Sequence, residues 1–141
     1  MTDTFNLNRF VDAQSGVYQT VTAELRAGAK RSHWMWFIFP QIDGLGFSPM
    51  AVRYAIRSLK EAVAYRQHPI LGHRLTECTQ AMLAHTERSA HAILGSPDDM
   101  KFRSSMTLFA ATQSAPSIFQ EAINQFYAGK PDEKSLALLK V

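Results

Sequence analysis

Apolar residues return along this chain at intervals of three and four, a spacing that predicts a succession of helices. Tyr18, Val21 and Leu25 mark one face of a helix over Val17 to Ala27, and Gly28 is placed to stop it in the left-handed conformation. A short turn near Phe10 precedes it. Ser48 and Pro49 read as a helix start, because a serine oxygen accepts an orphan N–H while the fixed φ of proline suits the first helical position. Val52, Ile56, Leu59 and Val63 then continue a single stripe until His68 and Pro69 end it. From Pro69 to about Ala84, Leu71, Leu75, Cys78 and Met82 step by four, three and four along another face. Ser96 and Pro97 repeat the start signal, and Phe102, Met106 and Phe109 form the inward stripe of a helix to about Thr112. Pro116 opens a further helix with Phe119, Ile123 and Phe126 inward until Gly129, and Asp132 caps a last one carrying Leu136 and Leu139.

One segment has no period. Ser32 to Phe47, SHWMWFIFPQIDGLGF, packs four aromatic residues between Trp34 and Phe39, and reads as an irregular core stretch or a short strand at about 33–40. Pro40 argues against a long central strand. The expected fold is therefore all-α or mainly α, one multi-helix domain over residues 1–141, with its core at about 8–139 and residues 1–7 as a loose tail.

Composition agrees with that reading: 46% hydrophobic and 19% charged residues in a chain of 141 suffice for one sizeable core. No run reaches the roughly 20 apolar residues a membrane-spanning helix needs, and the start, MTDTFNLNRF, lacks a basic and then apolar leader. A soluble, cytoplasmic protein without a membrane partner is the expectation. The single cysteine, Cys78, excludes an internal disulfide framework. A net charge of +3 is mild, and the basic residues spread from Arg9 to Lys140, which argues against nucleic acid as a partner.

Candidate chemistry gathers around the glycine-containing loop at Gly44, Gly46 and Ser48, which runs into a helix start whose first turn, Pro49 to Val52, carries no acid. Backbone donors at such a start attract anions, and Lys30 and Arg31 lie just upstream. The second helix start differs, since Asp98 and Asp99 already complement its positive end. Asp99 and Arg103 are spaced to pair, and Lys101, Ser104 and Ser105 occupy faces outside the Phe102 stripe. His33 and Gln41 flank the aromatic run, where a histidine can act as acid or base or can tie down the backbone. The five histidines show no metal-ligand spacing, no motif implies a cofactor, and Cys78, on an apolar stripe, reads as an inert small hydrophobe.

At HWMWFIFPQIDGLGFS, YAIRSLKEAVAYRQHPILGHRL and PDDMKFRSSMTLF, in this order, the chain resembles the bacterial family known as domain of unknown function 1810, from Phe10 to Leu139. The resemblance implies a mainly helical, intracellular protein. Some members carry a calpastatin label, which a hydrophobic, periodic chain does not support, because calpastatins are disordered. In broad character the chain is also similar to the helical NADAR proteins of NAD and ADP-ribose metabolism, without a match to their catalytic residues.

Two functional expectations follow. One is a binder or hydrolase of a small phosphate-bearing ligand, nucleotide or ADP-ribose-like. In it Ser48 and nearby N–H groups hold phosphate, Lys30, Lys101 or Arg103 neutralise charge, Trp34 or Trp36 stacks a base, and His33 or Asp99 transfers a proton. The other is a noncatalytic interaction domain whose aromatic segment, Trp34 to Phe39, meets another protein or a second copy of the chain. A hollow uniting Gln41, Ser48, Lys101 and Arg103 would favour the first, and an exposed patch around Trp34 and Trp36 the second.

Overall fold

A computed structural model describes residues 3–113 and 117–140. Its helices are α1 (Asn8–Gln14), α2 (Tyr18–Ala27), α3 (Met35–Ile38), α4 (Pro49–Arg53), α5 (Leu59–Gln67), α6 (Leu71–Leu83), α7 (Ala90–Leu94), α8 (Asp98–Ala110), α9 (Ile118–Tyr127) and α10 (Glu133–Leu139). Among the described residues the only strand-like pairing is one parallel bridge between Ile42 and Ile56. The fold is thus all-α, and none of these helices is long and apolar enough to cross a membrane.

Two helices organise the core. The α6 stripe of Leu71, Leu75, Cys78 and Met82 is fully buried, and α2, α5 and α9 pack around α6. Helix α8 lies deeper still: every residue from Ser104 to Phe109 is buried, and α5, α7, α9 and α10 surround it. Gly72 makes the α5–α6 corner possible, because a Cβ there would stand 1.9 Å from the Arg66 carbonyl oxygen. Helix α2 stops at Gly28 with φ +72°, its N–H donating to the Glu24 and Leu25 carbonyls. Ser48, Ser58, Ser89, Ser117 and Asp132 each cap a helix start. Ser96 does not; the Ser96–Pro97 peptide is cis, and α8 begins one residue later, at Asp98. The short helix α7, which buries Ala90, Ile93 and Leu94, is unannounced by any long stripe. The expected start of α9 at Pro116 falls outside the described residues.

The single stripe expected from Val52 to Val63 is broken. Helix α4 has five residues, none of them buried, and Val52 and Leu59 are 45% and 41% exposed. The reason is Arg9. Its Nε donates to the Arg53 carbonyl (2.9 Å) and an Nη2 proton to the Ala55 carbonyl (2.9 Å), which a continuous helix would have offered to the N–H groups four residues on. The Arg57 N–H turns instead to Glu61 Oε1 (3.0 Å), Ser58 caps α5 afresh, and Ile56 drops into the core beside Ile42.

The aromatic run also corrects the expectation of an irregular stretch or strand, since it forms the helical turn α3. Trp34, Met35, Phe37, Ile38 and Phe39 are all buried, so no period separates an inner from an outer face. Phe39 meets Phe102 edge-on at 4.8 Å, and the Gln14 side-chain amide donates to the Phe37 carbonyl (2.7 Å). Of the loose tail expected over residues 1–7, residues 1–2 lie outside the described residues and 3–7 are tied down. Both Asp3 carboxylate oxygens accept N–H groups at the start of α1, from Leu7 (2.7 Å) and Asn8 (2.9 Å), and Leu7 is buried.

Candidate functional site

The Gly44–Ser48 loop, the exposed side of the first turns of α8 and the Pro131–Lys134 approach to α10 enclose a hollow of about 640 Å³. Gln41, Gly46, Ser48, Lys101, Arg103 and Ser104 line it, so six of the residues singled out by sequence come together from two distant segments. The third wall adds Asp132, Glu133 and Lys134, which the sequence did not point to, because nothing local says which way the start of α10 faces.

The charges of this hollow are unequally free. Asp132 is committed to capping α10, accepting from the Ser135 N–H (2.9 Å) and hydroxyl (2.6 Å). Arg103 gives its Nε proton to the Lys130 carbonyl (2.9 Å) and lies over the Tyr127 ring, leaving the other guanidinium protons unassigned within the described residues. Lys101 stands 3.8 Å from Asp98, while Asp98 is held more closely by the buried Lys30, at 2.9 Å. The rim is apolar: Phe47 is 84% exposed and Met100 is 48% exposed.

Several expected roles move or fail. Lys30 is paired with Asp98 over the Trp34 ring and does not line the hollow. Trp34 is 2% exposed and donates its indole N–H to Glu24 (2.9 Å), so it cannot stack a ligand. Glu24 collects this indole, the Ser32 hydroxyl and the Arg31 and Ser32 N–H groups. Burial raises its carboxyl pKa, but these donors outweigh burial and hold it at about 2. Trp36 is half-buried in a crevice of about 10 Å³ beside Gln41, Tyr54 and Lys101, with room for about one water and none for a base. An exposed aromatic patch from Trp34 to Phe39 is therefore absent.

Neither His33 nor Asp99 lines the hollow. Asp99 faces His91 (3.5 Å) and accepts from the Met100 N–H instead of pairing with Arg103. Ser105 is fully buried inside the protein, and Ser104 gives its hydroxyl proton to the Met100 carbonyl (3.2 Å). Gly44, at φ +106°, packs on Leu138, whereas Gly46 lets the loop close on α4, where a Cβ would meet that of Ala51 at 2.7 Å. The Ser48 hydroxyl is taken by the Ala51 N–H (3.2 Å), and α4 is too short for much dipole, so side chains and not a helix end set the character of this hollow. Burial pushes the Cys78 thiol up to about 12, which makes it inert. No cluster of three metal-ligating acids, histidines or cysteines occurs among the described residues.

A family model described as protein of unknown function (DUF1810) matches residues 4–139, nearly the whole chain. The chain belongs to the DUF1810 family. It is similar to a solved structure, that of the conserved hypothetical protein Rv1873 from Mycobacterium tuberculosis, with 54% identity, a TM-score of 0.96 and 99% of each chain covered. Nothing among curated proteins matches it.

Proposed function

We propose that this DUF1810 protein binds a small phosphate-bearing ligand, nucleotide or ADP-ribose-like, in the hollow between the Gly44–Ser48 loop, α8 and the start of α10. The observation that carries the reading is the convergence of Gln41, Lys101 and Arg103 with Lys134 on one concavity, under an apolar rim of Phe47 and Met100. Guanidinium and ammonium donors suit phosphate oxygens, the Gln41 amide suits a ribose or base edge, and Phe47 offers a platform for a planar ring. This arrangement supports binding more than hydrolysis, because His33 and Asp99 stand outside the hollow and Asp132 is engaged as a cap.

A ligand that prefers the folded state must raise its stability, by about 1.4 kcal/mol at ten times its Kd. ADP-ribose or ADP at millimolar order is expected to raise the Tm by a few degrees. Substituting Lys101→Gln together with Arg103→Gln should abolish the rise. No rise in the wild type with either compound, or an undiminished rise in the double variant, would remove the reading.

A further inference from the structure

A second hollow, of about 520 Å³, lies on the other side of α4, between the segment 4–6 and the broken turn that joins α4 to α5. Its lining includes Arg9, Arg53, Arg57 and Glu61, with Phe5 and Asn6 on one wall. Arg9 is saturated. All five of its N–H protons go to protein acceptors: the carbonyls of Phe5, Asn6, Arg53 and Ala55, and the Glu61 carboxylate at 2.8 Å. Glu61 is engaged at both oxygens, the other one accepting from the Arg57 N–H. The floor therefore carries a buried ion pair whose charges cancel.

What remains are Arg53 and Arg57. Both are exposed, and among the described residues neither guanidinium makes a hydrogen bond or an ion pair, although Arg53 lies 5.5 Å over the Tyr54 ring. Asp12 borders an adjoining hollow that Arg53 also touches, yet it forms no ion pair with it. Two like charges on one concave wall repel each other unless a counter-charge sits between them, and a floor already neutralised internally supplies none. Each guanidinium group offers a flat, two-pronged donor set that matches the oxygens of phosphate.

We infer that this hollow is a phosphate-binding site in its own right, with Arg53 and Arg57 as its ligand-contacting residues and the Arg9–Glu61 pair as the support that fixes their backbone. The occupant is a phosphate dianion, free or as a monoester of a small metabolite. The inference does not depend on the reading of the hollow at Lys101 and Arg103.

Titration of the full chain with inorganic phosphate and, separately, with ribose 5-phosphate, followed by NMR at low ionic strength, tests it. Saturable shifts are expected at the Nε–H groups of Arg53 and Arg57 and at the amides of residues 4–6 and 57–58. The Arg53→Gln, Arg57→Gln double variant should weaken binding at least about tenfold, while its core amide spectrum stays that of the wild type. Arg53→Lys with Arg57→Lys, which keeps the charge and loses the planar fork, should recover only part of it. Tighter binding of the ester than of free phosphate would identify a phosphorylated metabolite as the occupant. The reverse would identify the free ion. Binding that is unchanged in the Gln pair, equal to wild type in the Lys pair, or lost in Lys101→Gln with Arg103→Gln overturns the inference.

Discussion

The two hollows flank the same five-residue helix, α4, yet they reach positive character by opposite routes. At Lys101 and Arg103 the cations share the lining with Asp132 and Glu133, of which Asp132 is committed to its cap, while Asp98 beside Lys101 is held chiefly by Lys30. At Arg53 and Arg57 the one acid in the lining among the described residues, Glu61, is cancelled inside the protein by Arg9, and the exposed cations have no ion-pair partner among those residues. The first hollow also has an apolar lip, Phe47 and Met100, which suits a ligand with a ring. Each lining holds three cations, and following each hydrogen bond shows which of them are committed.

The sharpest way to break this comparison is to remove Arg9. Arg9→Met leaves the Glu61 carboxylate buried without its partner and strips donors from four carbonyls, so unfolding by urea should show a loss of about 3–5 kcal/mol. The hollow at Arg53 should lose its shape, while phosphate ligands at Lys101 and Arg103 still bind in whatever fraction remains folded. A loss below about 1 kcal/mol would mean that the clasp does not hold the α4–α5 break.

Glu24, which collects the Ser32 hydroxyl and the Trp34 indole, gives a pH signature. Its folded pKa of about 2 is below the ordinary value of 4.5, so its stabilisation is complete above pH 4.5 and drains away as pH falls from there through 2. Glu24→Gln should flatten that part of the stability profile, by on the order of 2 kcal/mol once solvent screening of this partly exposed carboxylate is allowed for. An acid limb identical in wild type and variant would assign the loss to other carboxylates.

Gly46→Ala comes next, with a cost of about 1–3 kcal/mol from the contact with Ala51, and it should weaken ligands of the first hollow only. Phe47→Ser is the mildest in stability, within about 0.5 kcal/mol because the ring is exposed. It should nonetheless weaken ADP-ribose or ADP while leaving inorganic phosphate unaffected; equal effects on both would remove the ring platform.

What could be read beforehand, and what could not, follows from how local each cause is. The faces of α6 and α8 were legible because burial repeats along one helix, from Leu71 to Met82 and from Phe102 to Phe109. The break after Arg53 was not, because its cause, the Arg9 side chain, sits 44 residues away. Burial of Met35, Phe37 and Ile38 on successive faces hid the helical turn at Met35–Ile38, and burial likewise hid Ser105, which looks exposed on a helical wheel and is not. Gln41, Ser48, Lys101 and Arg103 were found together because loop and helix starts carry their own marks. Lys134 and Phe47 were missed because a rim is defined by what stands opposite, which no short stretch of chain records.

Asp98 sits between two ammonium groups at unequal reach, 2.9 Å from Lys30 and 3.8 Å from Lys101. The nearer one suffices to keep that carboxylate compensated, which leaves the farther one transferable. An incoming anion can draw Lys101 toward itself without stranding a bare carboxylate in the wall, so the hollow holds a cation in reserve instead of one it must tear loose.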